Sequence, residues 1–430
     1  MCRNKIRNMK VKNYLPRIYD ALLSDMLQRS GAVLVAGPKW CGKTATSLQA
    51  TNSVIFMQDP DKGRAYMTAA DTKPSLLLEG ETPRLIDEWQ MAPVLWDAVR
   101  FAVDQRGEVG QFVLTGSAVP LDNATMHTGT GRIARLVMRT MSLYESGESN
   151  GSVSLKDLFD GNPIEPAICS LDVDDYARLI CRGGWPAAVN MKGGNSLKVV
   201  QDYVDAIINQ DVSRVDGVER NPRRVQLLLR SLSRNIATMA SNVTILKDIE
   251  ANETSFSVPT LDSYLNALRR IFVIEDQNAW QPSLRSKTAI RTSSKRHFTD
   301  PSIAAAALRL SPEVLLKDFN TFGFFFESLC TRDMRIYAQA CDGEVLHYRD
   351  KNDLEADMII ALRDGRWAAV EVKLGNSQIE EAAAHLLQLA KKINTEKMGN
   401  PSFLMVLTGG ELAYQRADGV YVVPIGCMRN

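Results

Sequence analysis

A group of residues near the start of the chain has the types and spacing to bind a polyphosphate. The segment GPKWCGKT fits the pattern GxxxxGK[ST], directly after the apolar run AVLVA and directly before the helix-favouring run ATSLQA. Glycine lets backbone N–H groups wrap around phosphates, the lysine reaches the β and γ oxygens, and the hydroxyl is a ligand for Mg²⁺. The side chains at the variable positions are expected to point away from the phosphates. The predicted cofactor-binding residues are Gly37, Pro38, Lys39, Trp40, Cys41, Gly42, Lys43 and Thr44.

Two adjacent acids end the later β-rich run RLIDE and could complete this chemistry. Asp87, together with Thr44, is predicted to hold the Mg²⁺ ion, and Glu88 is predicted to polarise the attacking water. The alternative is that the two acids cap a helix beginning at Trp89, and the phosphate-binding pattern disfavours it. A further run, FVLTGS, ends in hydroxyls where a γ-phosphate sensor would lie. Thr115 is the preferred sensor, with Ser117 next.

An arginine beyond that run could stabilise charge that develops on the phosphate. Arg132 follows Gly131 in a predicted loop, which suits an arginine that reaches the nucleotide of a neighbouring subunit or domain. Arg135 and Arg139 lie in or beside a predicted strand. An ordinary surface arginine explains Arg132 equally well.

A second group of carboxylates lies late in the chain. Asp357 and Glu371 are expected to end the adjacent strands of a hairpin turned by the sequence DG, so that both carboxylates converge on one Mg²⁺ ion. Lys373 shares the strand face of Glu371 and could orient or deprotonate an attacking water, while the metal supplies Lewis acidity. The pattern of Asp357, Glu371 and Lys373 resembles that of the PD-(D/E)xK nuclease superfamily, and Glu327, on the preceding helix, matches the fourth acidic position of that superfamily, so it is a third predicted metal ligand. An accidental ExK on an amphipathic strand is the alternative, and similar domains keep this fold without cleavage.

The elements that must position these residues follow from the apolar runs. Short β-rich runs alternate with helical stretches over the first 145 residues, which predicts a parallel sheet flanked by helices. The middle of the chain is mostly helical by periodicity, and an α/β pattern returns from Phe322 onward. We therefore predict the α/β class, with an N-terminal domain over 1–145, an acidic linker and helical segment over 146–210, a third domain over 211–315 and a fourth over 316–430.

Composition and charge exclude several classes of protein. A chain of 430 residues with 45% hydrophobic and 23% charged residues predicts several folded domains. Because 51 Lys+Arg face 50 Asp+Glu, a polycationic coat protein is excluded and any nucleic-acid surface must be local. No apolar run approaches the roughly 20 residues of a membrane span, and no apolar stretch follows the basic residues at the start. We expect a cytoplasmic protein without a membrane partner. The seven scattered cysteines form no CxxC pair, which argues against a zinc site or a disulfide framework.

The middle of the chain predicts a local basic surface. Three candidate helices of a winged helix cover 225–239, 244–250 and 260–270. The third would present Ser263, Asn266, Arg269 and Arg270 to a DNA major groove. The basic stretch 285–296 falls where a wing would touch phosphate. Docking of a protein partner, or a merely solvated helix face, are the alternatives.

The motifs together resemble a known family. GPKWCGKT, LIDEWQ, VLTGS, GTGRIARLVMRTMSLYE and KRHFTDPSIAAAAL are similar to segments of predicted AAA-type ATPases of bacteria and archaea with a C-terminal domain of unknown function. The resemblance implies a P-loop NTPase core of the ASCE type that uses ATP and Mg²⁺, then a helical and winged-helix region, then a restriction-endonuclease-like α/β domain. Two hypotheses follow. One is an ATPase coupled to a DNA-associated conformational step with a metal-dependent nuclease tail. The other is a nucleotide-dependent switch whose C-terminal domains bind protein, DNA or another copy of the chain without cleavage.

Overall fold

Residues 13–118, 129–191, 193–250, 256–282, 293–352, 354–393 and 398–430 are described by a computed structural model. Within these ranges the chain divides into two compact units. The first unit holds the described residues up to Thr140 together with Asp211–Glu219 and Ala267–Phe272, and the second holds the remainder. None of the helices in these ranges has both the length and the apolar composition that crossing a membrane requires.

Helices and strands alternate in the first unit. Their bounds are α1 (Ile18–Arg29), β1 (Ala32–Ala36), α2 (Lys43–Ala50), β2 (Ser53–Phe56), α3 (Gly63–Thr72), β3 (Arg84–Asp87), α4 (Val94–Arg106), β4 (Phe112–Gly116) and β5 (Ile133–Val137). The strands form a five-stranded sheet in the order β2-β3-β4-β1-β5, with each neighbouring pair parallel. The predicted parallel sheet is confirmed, and this arrangement is consistent with a P-loop NTPase fold.

Burial explains why these segments form these elements. Every residue of β1, AVLVA, is buried, as expected for a central strand covered by helices on both faces. The buried residues of α4, Leu95, Trp96, Val99 and Val103, recur at helical spacing and form one apolar stripe. Gly107 ends this helix with a positive φ of 66°, a conformation that glycine adopts without a steric penalty.

The strand order places the predicted site residues at one edge of the sheet. Because the strands are parallel, their carboxyl ends lie along the same edge. Ala36, the last residue of β1, pairs with Gly116 in β4, and Asp87 at the end of β3 pairs with Thr115. The strand β4 therefore lies between the strand that leads into residues 37–44 and the strand that ends in the acids.

The middle of the chain is mostly helical, as its periodicity predicts. Its elements are β6 (Val153–Ser154), α5 (Leu155–Phe159), β7 (Ala167–Ile168), α6 (Val173–Arg182), α7 (Pro186–Val189), α8 (Asn195–Ala206), a π-helix (Ile207–Asp211), α9 (Val212–Arg214), α10 (Pro222–Arg234), α11 (Asn242–Glu250), α12 (Val258–Arg270), α13 (Pro301–Ala307) and α14 (Pro312–Leu315). Helices α10, α11 and α12 lie where the three helices of a winged helix are predicted. Isolated antiparallel bridges then join Ile274 to Phe298 and Gln277 to Lys295. The winged helix stays a prediction, since helices and bridges of this kind do not define that fold alone.

The last part of the chain builds a second sheet. Its elements are α15 (Phe319–Ala340), β8 (Gly343–Arg349), β9 (Glu355–Leu362), β10 (Trp367–Lys373), α16 (Ile379–Lys392), β11 (Leu404–Thr408), β12 (Leu412–Gln415), β13 (Tyr421–Pro424) and β14 (Met428–Arg429). The seven-stranded sheet has the order β7-β12-β13-β11-β10-β9-β8. Strands β9 and β10 form the predicted antiparallel hairpin. The segment predicted as an acidic linker contributes β7 to this sheet and β6 to a pair with β14. A restriction-endonuclease-like fold stays a prediction.

Candidate nucleotide site and C-terminal carboxylate cluster

The phosphate loop, residues 37–44, depends on glycine at two positions. A Cβ atom at Gly37 would lie 2.1 Å from the carbonyl oxygen of Met138, so this close approach leaves room for glycine alone. Gly42 has a φ of 101°, which L side chains rarely adopt, and α2 begins at the next residue. The N-terminus of a helix presents unpaired N–H groups and favours an anion. The loop therefore has the backbone geometry of an anion cradle.

A buried arginine that the motif does not include supports the loop from behind. Arg17 donates from Nη1 to the carbonyl oxygen of Cys41 at 2.8 Å, and from Nη2 to the carbonyl oxygens of Arg139 at 2.9 Å and Thr140 at 3.1 Å. The Cys41 side chain is buried, whereas the Trp40 side chain is half exposed. Arg17 thus fixes the loop to the segment that follows β5.

The two lysines of the loop have different partners. Lys43 is buried, and its ammonium donates to the carbonyl oxygens of Gly37 at 3.0 Å and Pro38 at 2.8 Å. Lys39 instead donates to Oδ1 of Asp211 at 2.6 Å, with its own side chain 44% exposed. Lys43 is therefore the lysine whose charge lies inside the loop, as the motif predicts.

The hydroxyl of Thr44 and the carboxylate of Asp87 lie together. Thr44 donates from Oγ1 to Oδ1 of Asp87 at 2.7 Å, and Thr115 donates to the same oxygen at 2.6 Å. Gln58 donates to Oδ2 of Asp87 at 3.4 Å. Hydroxyl and carboxylate oxygens are the hard ligands that Mg²⁺ prefers, and one or two carboxylates with substrate phosphates are its usual protein environment. Thr44 and Asp87 therefore fit the ion that the motif implies.

Glu88 is held beside this pair in an uncommon backbone conformation. Its φ of 55° is in the left-handed region, which a non-glycine residue adopts mostly at turns and functional sites. Its Oε2 accepts hydrogen bonds from Gln90 and, at 3.3 Å, from Ser117, and its N–H donates to Oγ1 of Thr115 at 3.3 Å. Thr115 thus connects the two acids, and its role as a phosphate sensor stays a prediction.

Arg132 lies at the other edge of the sheet. It directly precedes β5, whose first residue Ile133 pairs with Ala32 at the beginning of β1. The five residues of β1, which span about 16 Å, separate Arg132 from the phosphate loop of its own chain. Its Nε donates to Oδ1 of Asp104 at 2.7 Å. A role for Arg132 at the site of another copy stays a prediction.

The second unit brings together the four C-terminal residues that the sequence singles out. Asp357 accepts on Oδ2 a hydrogen bond from the N–H of Val372 at 2.9 Å, and Lys373 donates to Oε2 of Glu371 at 2.9 Å. Glu327 lies on α15 and shares a bonding partner with Asp357. We call Glu327, Asp357 and Glu371 the carboxylate cluster.

That shared partner is Lys295, which the sequence placed in a basic wing. Its ammonium donates to Oε1 of Glu327 at 2.8 Å and to Oδ1 of Asp357 at 3.0 Å. The residue is 6% exposed. The sequence predicts that the cluster ligates a divalent ion. This arrangement disagrees with that prediction, because a lysine cation already lies between two of the carboxylates. In the described ranges, no three His, Cys, Asp or Glu side chains form a metal-binding group.

Burial and neighbouring charge set the pKa values in the cluster. Burial, followed by the charge of Asp357, raises the pKa of Glu327 to about 7. The same two causes raise the pKa of Glu371 well above its ordinary value. Burial also acts to raise the pKa of Asp357, but the ammonium groups of Lys295 and Lys373 outweigh it and the pKa is lowered. Asp357 is therefore the carboxylate that the two lysines keep charged.

The nucleotide site lies in a segment that is similar to a known family. Residues 29–147 match the model of a family described as AAA domain. This segment is therefore similar to AAA-type domains. This match supports ATP binding and hydrolysis at the level of the family. Residues 173–314 and 322–428 match two domains of unknown function, DUF8612 and DUF4143.

Two relatives align with nearly the whole chain, and both are described as uncharacterized proteins. The chain is 22% identical over 412 residues to the uncharacterized proteins Mb2031c of Mycobacterium bovis and Rv2008c of Mycobacterium tuberculosis, covering 94% of this chain and 82% of each relative. Among solved structures, the Walker-type ATPase PABY2304 of Pyrococcus abyssi aligns with a TM-score of 0.43 and 12% identity, over 69% of this chain and 96% of that one.

The predicted basic surface is only partly available for DNA. Arg296 donates to Oδ1 of Asp276 at 3.1 Å and to Oδ1 of Asn242 at 2.7 Å, so it belongs to an internal network, as Lys295 does. Arg285, Lys287 and Arg291 lie outside the described residues. On α12, Ser263 and Asn266 are exposed. The predicted phosphate contacts therefore lose two of their five basic residues to contacts inside the protein.

Proposed function

We propose that this protein binds ATP with Mg²⁺ at the phosphate loop and hydrolyses it. The observation that carries the proposal is the 2.7 Å hydrogen bond between the Thr44 hydroxyl and the Asp87 carboxylate. It joins the end of the phosphate-binding pattern to the end of β3, which are far apart in sequence. The match of residues 29–147 to the AAA domain model supports ATP as the nucleotide.

Each residue of the site has a distinct task in this proposal. The ammonium of Lys43, which bonds loop carbonyls, would exchange them for phosphate oxygens. Thr44 and Asp87 would hold Mg²⁺, which when bound polarises the phosphoryl group. Glu88 would orient and polarise the attacking water, because its carboxylate is fixed next to Asp87 by Ser117 and Gln90.

Loss of the Lys43 charge tests the nucleotide site. We expect Lys43→Ala to abolish ATP binding measured by calorimetry with Mg²⁺, because the charge inside the loop is removed. Lys62→Ala is the matched control, since Lys62 is an exposed lysine of the same unit. Equal ATP affinity of wild type and Lys43→Ala would overturn the assignment.

We further propose that the ATPase cycle is coupled to a DNA-associated conformational step. Support comes from the three helices α10 to α12, followed by antiparallel bridges, and from the exposed polar residues of α12. The logarithm of the affinity for duplex DNA should then fall linearly with the logarithm of the salt concentration. The double substitution Arg269→Ala and Arg270→Ala should make that slope less steep. Lys62→Ala is the control. If the slope of the double variant equals that of wild type, α12 makes no contact with DNA.

The carboxylate cluster favours the non-cleaving alternative for the C-terminal part of the chain. Lys295 lies where a metal-dependent nuclease would need its ion. We therefore infer that this part binds protein or DNA without cutting it. A supercoiled plasmid should remain intact in Mg²⁺ or Mn²⁺. Nicking that disappears in Asp357→Asn would contradict this inference.

A further inference from the structure

We propose that the ammonium of Lys295 permanently takes the place of a divalent cation in the carboxylate cluster. The inference deepens the non-cleaving candidate function and does not depend on ATP hydrolysis. It predicts that the wild-type cluster binds no divalent ion and that removal of the lysine side-chain charge creates a metal site.

The position of Lys295 is fixed by its backbone as well as by its side chain. Its N–H donates to the carbonyl oxygen of Gln277 at 2.9 Å, and its carbonyl oxygen accepts from the N–H of Gln277 at 2.9 Å. The side chain of Gln277 donates in turn to the carbonyl oxygens of Asp357 at 3.0 Å and Leu346 at 2.9 Å. The backbone of Lys295 is therefore bonded to Gln277, whose side chain bonds the backbones of β8 and β9.

Burial leaves the ammonium no alternative position in water. The side chain of Lys295 is 8% exposed, and those of Glu327 and Asp357 are 13% and 11% exposed. A buried ammonium is costly unless it is paired and hydrogen-bonded. Each of its two carboxylate partners lies within 3.0 Å of Nζ. Displacement by a metal ion would leave this buried ammonium without its two carboxylate partners, so the lysine is not a temporary occupant.

A lysine cation holds the carboxylates together but cannot replace a metal ion in catalysis. An ammonium donates hydrogen bonds and carries one charge, whereas a bound divalent ion also accepts oxygen ligands and lowers the pKa of a bound water. The ammonium of Lys295 attracts a carboxylate on α15 and another on β9, and so it holds these two elements together. The cluster then has no centre that activates water. This explains how the arrangement of acids could be retained without cleavage.

One oxygen of the cluster still lacks a partner. Oε1 of Glu371 is buried and accepts no hydrogen bond from any described residue, in a side chain that is 4% exposed. Without the ammonium, Oε1 of Glu327 and Oδ1 of Asp357 would join this atom as free oxygen acceptors. Carboxylate oxygens are hard ligands of the kind that Mg²⁺ and Mn²⁺ prefer.

The test uses Mn²⁺ as the probe and the full chain throughout. Free Mn²⁺ is measured by electron paramagnetic resonance, without nucleotide, in an Asp87→Asn background that removes the metal ligand of the ATPase site. Lys295→Met, which keeps the length of the side chain and removes its charge, is compared with Lys351→Met, a matched change at an exposed lysine. The double variant Lys295→Met with Asp357→Asn shows whether any new site uses the cluster.

We expect no cluster-dependent Mn²⁺ binding before Lys295 is changed, one Mn²⁺ per chain in Lys295→Met, and loss of that ion in the double variant. If Lys295→Met folds only when Mn²⁺ is present, the ion has replaced the lysine charge and the proposal stands. Mn²⁺ bound by the protein with Lys295 intact, and lost on Asp357→Asn, overturns it. A folded Lys295→Met protein without Mn²⁺ affinity, or failure to fold with and without the ion, also overturns it.

Discussion

Thr115 makes a testable link between the two acids of the nucleotide site. Its hydroxyl donates to Oδ1 of Asp87 at 2.6 Å and accepts from the N–H of Glu88 at 3.3 Å. The substitution Thr115→Val removes this hydroxyl and nearly keeps the shape of the side chain. Because Thr115 is 0% exposed, water cannot enter to replace the lost bonds. Thr115→Ser retains the hydroxyl and is the matched control.

The expected size of the effect follows from the acceptor's charge. A hydrogen bond to a charged group contributes about 1.5–3 kcal/mol. If this stabilisation is expressed in the transition state, kcat of Thr115→Val falls by about 10- to 150-fold. Thr115→Ser should stay within about threefold of wild type. ATP affinity should change little in either variant, because the phosphate loop is untouched.

Steady-state phosphate release at saturating ATP measures this prediction. Urea unfolding of the same preparations shows whether the valine variant remains folded. A folded Thr115→Val protein with the kcat of wild type would refute the reasoning that this hydroxyl positions Asp87 and Glu88.

Two further predictions concern charge. Burial lowers the pKa of His347 to about 4. The ordinary pKa of a histidine is about 6.5, so at pH values between about 4 and 6.5 this histidine binds a proton only in the unfolded chain. The free energy of unfolding should therefore fall by about 1.3 kcal/mol from pH 7.5 to 5.5. Urea unfolding of His347→Gln should lack that loss, and an identical pH dependence would contradict it. Asp211→Asn, which frees Lys39 beside the loop, should tighten ATP binding about two- to fivefold in calorimetry. Unchanged or weaker affinity would contradict that contact.

The features that sequence predicts well are local. The phosphate loop is recognised because strand, glycine turn and helix follow one another within a few residues. Asp87 and Thr115 each lie at the end of a short β-rich run, and they pair directly in the sheet. The hairpin of β9 and β10 likewise brings Asp357 near Glu371, since both strands are adjacent in sequence.

The features that sequence misses depend on tertiary contacts. Lys295 is 62 residues from Asp357 along the chain. Together with Arg291 and Arg296 it forms a basic stretch, and such a stretch is typical of an exposed loop. The Arg17 guanidinium donates to backbone oxygens of the loop and of the segment after β5, and such contacts leave no motif in the sequence. The position of Arg132 depends on the register of β5 against β1, which charge and spacing do not report.

The central claim, that this site hydrolyses ATP with Glu88 as the water-polarising acid, is tested most directly by Glu88→Gln. The amide keeps the size of the side chain and loses the carboxylate. We expect ATP affinity close to wild type, because Lys43, Thr44 and Asp87 are unchanged, and a kcat for phosphate release lower by roughly 100-fold or more. Turnover at the wild-type rate in Glu88→Gln would contradict the account.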